Sequence, residues 1–163
     1  DSGGKLERGS AKALLQTQAR LTLANPRLAP YGLAAAETLE ALELRATTQK
    51  RWVRAENIAQ AYQYTHSGSV GAGFIAHSQF LGLAPEAMGA YWHVPGSLHS
   101  PIVQDAVVLN QGKNQAAAKA FMAFIASKRS QEIIQKAGYA LPHVLEPIIG
   151  AAQGRTSQQN KEL

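Results

Sequence analysis

Two short stretches of this chain combine the ingredients of an anion site. In RLTLANPRLAPYG (20–32), residues 21–24 are an apolar run that reads as a buried strand, and Asn25-Pro26 breaks it. Pro30 then sits where the first turn of a helix tolerates proline. Further on, residues 52–54 make a strand-like run, 55–57 a turn with the capping-type Asn57, and 58–64 a helix. The first amides of a helix have no partner inside it and lie at the positive end of its dipole. N–H groups around Tyr31 and Gly32, and around Ile58, can therefore hold an oxyanion. If the two strands are parallel neighbours, both corners face one crevice, and binding is done mostly by backbone.

Other chemistry is poorly served. A hydrolase needs a nucleophile beside a base, and no serine sits in a nucleophile-elbow pattern. His66, His77, His93, His99 and His143 lie too far apart for an i, i+4 metal pair, so surface or half-buried histidines are expected. Asp105, beside Gln104 in an apolar run, invites an acid–base role; a buried Asp satisfied by neighbouring amides is the plainer expectation. Gly71 and Gly73 form GAG without the third glycine or the lysine of a phosphate loop. Tyr31 either offers its hydroxyl to a ligand or packs as a turn residue, and residue chemistry leaves both open. Trp52, Tyr91 and Trp92 are expected in the core or at its rim, since no basic and aromatic interleaving accompanies them.

These corners need elements to position them, and 163 residues with 45% hydrophobic content can bury a core. Sixteen basic against eleven acidic residues give a net charge of +5. The basic residues are scattered apart from 50–54 and 128–129, which favours a solvated face over a nucleic-acid partner. The absence of cysteine excludes disulfides and thiolate metal sites. No window approaches the roughly 18 apolar residues of a membrane span. The opening Asp1-Ser2-Gly3-Gly4 resembles neither an initiator methionine nor a secretory leader, so a segment upstream is expected.

In order, the pattern predicts a loop over 1–9, a short helix over 10–18, the strand at Leu21, and a helix over 31–42 burying Leu33, Ala36, Leu39 and Leu42. A polar loop or frayed helix over 45–51, the Trp52 strand, the Ile58 helix and a strand over 70–76 follow. Strand, helix, strand, helix, strand favours a parallel sheet wrapped by helices. A short turn or helix begins at His77, and strands are predicted over 90–94 and 102–109. A helix over 115–126 is expected to bury Ala117, Phe121, Phe124 and Ile125, and another over 130–137 to end at Gly138. An arm over 141–150 and a polar tail over 153–163 complete the reading.

LANPRLAPYGLAAAETLEAL, RAENIAQAYQYTHSGSVGAGFIAHSQ, YWHVPGSLHSPIVQDAVVLNQGKNQAAAKAFMAFIAS and IIQKAGY, in that order, resemble the later two-thirds of the periplasmic molybdate-binding proteins of ABC importers. The resemblance runs from about Leu21 to Leu141. It implies an α/β, periplasmic binding protein-like (type II) fold of two lobes, a tetrahedral oxyanion held without countercharge, and no enzymatic activity. Second-lobe contacts would fall on the backbone N–H groups of Tyr31, in APYG, and Ile58, in ENI. Some members add a tyrosine hydroxyl at the end of the strand that here reads GFIAHS; this chain has Ala76 there, so that contact is lost or Tyr31 supplies a hydroxyl instead.

The resemblance further implies molybdate or tungstate as ligand, with no cofactor, a membrane permease as partner, and a periplasmic location. Residues 1–98 would form the second lobe with its leading loop, 99–141 the returning part of the first lobe, and 142–163 an arm and tail. The family's opening first-lobe segment has no counterpart here, so lobe one is expected to be incomplete unless a second chain supplies the rest. Two alternatives stay open: a receptor for another tetrahedral oxyanion such as sulfate, and the ligand-sensing domain of a transcription regulator.

Overall fold

The computed structural model describes residues 19–141 together with Lys5, Lys12, Leu15 and Gln16. The apolar run Leu21–Ala24 forms strand β1, buried at all four positions, as a strand is when both faces of its sheet are covered. Helix α1 (Pro30–Ala41) follows, then a short helix α2 (Arg45–Thr48) running into a 3-10 turn at Gln49–Arg51. Strand β2 (Trp52–Ala55), helix α3 (Ile58–His66) and strand β3 (Ala72–Gly73) complete a three-stranded sheet of order β2-β1-β3. All pairs are parallel: Leu21 lies opposite Trp52, Ala24 opposite Ala55, and on the other edge Leu21 opposite Ala72. This is the expected alternation, and α1 and α3 both pack on β1.

The sheet and α1 enclose the core. Leu15, Leu21, Leu39, Leu42, Leu44 and Leu98 are its buried members, and Trp52, Trp92, Phe74 and Val94 pack against them. The face that α1 buries includes Ala36, Leu39 and Leu42, as their spacing suggested, but not Leu33. Ala34, Ala35, Ala36, Thr38 and Leu39 are buried, whereas Leu33 is 49% exposed. Alanines let the helix seat flat on the sheet, so a broad stripe of small residues is covered. Leu33 turns aside to line a groove with Ile102 and Val103. Thr22, fully buried in β1, donates its hydroxyl to the Val53 carbonyl at 2.8 Å, which satisfies it without leaving the ladder.

Beyond β3 the chain is less regular than expected. Helix α4 (His77–Leu81), 3-10 turns at Pro85–Ala87 and Gly96–Leu98, and helices α5 (Gln115–Ile125) and α6 (Lys128–Lys136) are its elements. The strand expected over 70–76 contracts to Ala72–Gly73. Over 90–94 only Tyr91 pairs, in an isolated parallel bridge to Lys5, and 102–109 forms no strand. A strand exists only where another supplies its hydrogen bonds, and no described strand lies beside these runs. For the same reason Ala117, Phe121 and Phe124 are exposed rather than buried, Phe121 at 61%, and Ile125 is half-buried. Among the described elements α5 packs mainly on α6.

At the other end, Lys12, Leu15 and Gln16 are helical, as expected for 10–18. Arg51 donates to the carbonyls of Leu15, at 2.9 Å, and Ala19, placing a cation where a helix ends. The remainder of 1–18, and the arm and tail over 142–163, lie outside the described residues.

Candidate oxyanion site

Both proposed corners stand at the carboxyl edge of the sheet. β1 and β2 are in register to their last residues, and the Asn25 N–H extends the ladder by donating to the Ala55 carbonyl at 2.7 Å. The turns that leave these strands are therefore neighbours. Strands in a sheet lie about 4.8 Å apart, so the two helix starts open onto one edge.

At the first corner Asn25 organises the turn. Its carbonyl accepts from the N–H groups of Leu28 and Ala29 at 3.0 and 2.9 Å, and its side-chain oxygen accepts from Arg27 at 3.0 Å. Pro26 and Pro30 have no N–H to offer. Gly32 and Leu33 both donate to the Ala29 carbonyl, at 2.9 and 3.1 Å. Gly32 is thus committed within the protein. Among the described residues of this corner, Tyr31 keeps the N–H that no protein group accepts.

Gly32 has a different task. A Cβ added there would lie 2.2 Å from the Ala24 oxygen and 2.6 Å from the Ala24 carbonyl carbon. Backbone cannot yield as a flexible side chain can, so only glycine lets the start of α1 rest against the end of β1. The Pro-Tyr-Gly order thus has a physical reason: proline opens the helix, tyrosine presents its amide, and glycine admits the strand end.

The second corner is capped by side chains. The Asn57 side-chain oxygen accepts from the Gln60 N–H at 2.9 Å, and its carbonyl accepts from Ala61 at 3.2 Å. Gln60 reaches back, accepting from the Glu56 N–H at 2.7 Å. The Ile58 and Ala59 N–H groups at the head of α3 remain without a protein acceptor among the described residues. Gln79, which sequence reasoning passed over, braces this corner from the third strand-to-helix junction. Its side chain accepts from the Ala76 N–H at 3.0 Å and donates to the Ile58 carbonyl at 3.3 Å. The signal was a Gln at the third position of α4, where a capping glutamine belongs.

Tyr31 is a half-buried side chain whose hydroxyl accepts from the Gln104 side-chain amide at 3.5 Å. Burial first, and the neighbouring Tyr139 second, push its ionisation above the usual tyrosine value; Gln104 pulls weakly the other way. The hydroxyl is therefore a neutral donor at ordinary pH. Ala76 is buried and offers no polar side chain, as its identity requires. Asp105 departs from the buried acid considered for it: it is exposed, in a stretch with no strand. No group of three or more His, Cys, Asp or Glu among the described residues could hold a metal ion. His77 and His93 meet edge to face at 4.8 Å as a pair. No described helix is long and apolar enough to cross a membrane.

A parallel sheet whose helix starts gather at one edge, with main-chain donors left open there, is an arrangement suited to holding a small anion. The chain belongs to the bacterial extracellular solute-binding protein family, whose model matches residues 3–140. It is 38% identical over 141 residues to the molybdate-binding protein ModA of Azotobacter vinelandii, covering 86% of this chain and 53% of that protein. To the molybdate-binding protein ModA of Rhodobacter capsulatus it is 40% identical over 128 residues, 78% of this chain and 50% of that one. The solved periplasmic molybdate-binding protein of A. vinelandii superposes with a TM-score of 0.74 at 36% identity, over 82% of this chain and 59% of that one. The fold is thus that of the periplasmic binding proteins, and the chain spans about half the length of these relatives.

Proposed function

We propose that this chain captures molybdate, and tungstate with it, for delivery to the membrane permease of an ABC importer outside the cytoplasm. The observation that carries the reading is the pair of uncommitted N–H groups, Tyr31 and Ile58, at adjoining helix starts on one sheet edge. Each helix start carries roughly half an elementary charge, and hydrogen bonds to an ionised acceptor are about twice as strong as neutral ones. A tetrahedral dianion can be held this way without a lysine or arginine beside it. The relatives named for molybdate supply the choice of ligand. No bond is made or broken; capture, closure and release are the work, and closure between lobes is the signal the permease reads. In this reading residues 1–98 form one lobe and 99–141 a returning part of the other, with further polypeptide, from this chain or a second, facing the ligand from the opposite side. No cofactor and no nucleic acid take part.

Ile58→Pro tests it directly. Proline suits the first helical position, and Asn57 already holds the extended backbone (φ −146°, ψ 174°) that a residue before proline prefers. The variant therefore keeps the helix and deletes one donor. Calorimetric titration should give roughly 10–100-fold weaker molybdate binding than the parent chain, the range expected for one hydrogen bond to a charged group. Sulfate serves as the comparison, because backbone donors read size and not the central atom. Equal molybdate affinity in parent and variant would sink the assignment of Ile58, and preference for sulfate would replace the ligand.

A further inference from the structure

A Gln at the third position of a helix can cap it, and a Glu there does so at least as well, since its charge also suits the positive end of the dipole. Position 79 carries Gln and puts its amide to a second use. While its Oε1 accepts from the Ala76 N–H at 3.0 Å, its Nε2 donates to the Ile58 carbonyl at 3.3 Å. A carboxylate could make the first bond and not the second. The bridge joins the helix start that follows β3 to the one that follows β2, and these are the two edge strands, with β1 between them. Residues 58 and 79 are 21 apart in sequence, and both are half-buried.

Both ends of the bridge are firmly mounted. On α4, the Gln79 and Phe80 N–H groups donate to the Ala76 carbonyl at 3.0 and 3.2 Å, the Phe80 ring meets Tyr91 at 4.3 Å, and the Ser78 Oγ lies 3.2 Å from the Tyr139 hydroxyl. Gly138, with φ +87°, packs so closely that a Cβ there would lie 2.8 Å from Leu81 Cδ1. On α3, the Ile58 N–H shares its peptide group with the Asn57 carbonyl, which accepts from Ala61 at 3.2 Å. Ile58 is thus held on one side by that bond and on the other by Gln79. Among the described residues no other side chain bonds to Ile58.

We infer that Gln79 is a positioning residue of the anion site, fixing the direction of the Ile58 N–H by its bridge from α4. The inference rests on the oxyanion-binding reading above. Backbone donors discriminate by size, and size is read only where the donors hold still. A neutral amide can hold the corner beside a dianion, which a carboxylate in its place would repel.

Two measurements on Gln79→Met, which keeps the length and neutrality of the side chain, separate the bridge from the receptor reading. The first needs no ligand: the carbonyl carbon resonance of Ile58 follows the hydrogen bond its oxygen accepts, and it should move in the variant. An unmoved resonance overturns the bridge. The second is molybdate affinity, which Gln79→Met should weaken by roughly 3–10-fold, the worth of one neutral hydrogen bond. Made in the Ile58→Pro background, where the positioned donor is gone, the same substitution should cost less than about 2-fold. An unchanged affinity, or an equal loss in both backgrounds, overturns the positioning role. Gln79→Glu keeps the cap on α4 and lacks only the donor, so it serves should Gln79→Met fail to fold. Its resonance should move likewise and its affinity loss should persist at high salt; full recovery there would trace the loss to charge and overturn the role. If the parent binds no oxyanion at all, the receptor reading fails and the positioning role falls with it, while the resonance still decides whether the bridge exists.

Discussion

Gly32 sets two tendencies against each other. Replacing a helical glycine by alanine ordinarily gains about 1 kcal/mol of helix propensity. Here the new methyl would sit 2.2 Å from a strand carbonyl oxygen, and forced overpacking against backbone costs about 1–3 kcal/mol or more. The clash should win: Gly32→Ala is expected to lower the unfolding free energy, measured by urea titration, by a net of up to about 2 kcal/mol. It should also weaken molybdate binding, because the displaced helix start carries the Tyr31 amide. Tyr31 itself gives a pH signature. Its folded ionisation lies above the 10.0 of a free tyrosine, so in the alkaline range the folded chain keeps a proton that the unfolded chain loses. Stability from this group is complete below pH 10 and falls as pH rises through the raised value. The parent should therefore lose stability relative to Tyr31→Phe as pH rises above 10, measured by urea unfolding at matched pH.

Helix ends show how local signals become elements. α1 ends as α6 does, with the Leu44 N–H reaching back to Leu39 at 2.8 Å and Glu43 to Glu40 at 2.8 Å. At α6 the left-handed position is a glycine, but at α1 it is Glu43, with φ 59°. A side chain in that conformation costs roughly 1–2 kcal/mol, partly offset by the extra freedom glycine brings to the unfolded chain. Glu43→Gly should raise stability by about 0.5–1 kcal/mol and the melting temperature by a few degrees. Elements whose cause lies within their own residues were legible beforehand. The run 21–24, the proline at the head of α1 and the Asn57 cap each carry their reason locally, and so the Tyr31 and Ile58 corners could be placed. The runs 90–94 and 102–109 could not be read this way. Their apolar composition says which side chains want cover, and pairing depends on whether another strand stands alongside.

Across the whole molecule, burial is uneven. Leu39 is fully buried in the core beneath the sheet, whereas Phe121 on α5 is 61% exposed. Leu39→Ala should cost about 2–5 kcal/mol, and Phe121→Ser less than about 0.5 kcal/mol, by urea unfolding of each. The opposite ranking would mean that α5 is covered in solution. The candidate site was legible at its two helix starts because they follow directly from strand ends. The bond from Gln104 to the Tyr31 hydroxyl was not, since residues 73 apart in sequence meet only through tertiary packing. Gln79 was half-legible: its capping position was visible, but its second bond to Ile58 depends on how two helix starts sit across the sheet.

The open donors at both corners belong to the peptide chain and not to side chains. Nearly any codon change at position 58 leaves an N–H where it was, and proline alone removes it. Related receptors can therefore differ in residue identity at the positions we propose to touch the ligand while keeping the same main-chain donors. Their conserved letters should fall instead on the residues that shape the chain there: the proline, the glycine against the strand end and the capping asparagine.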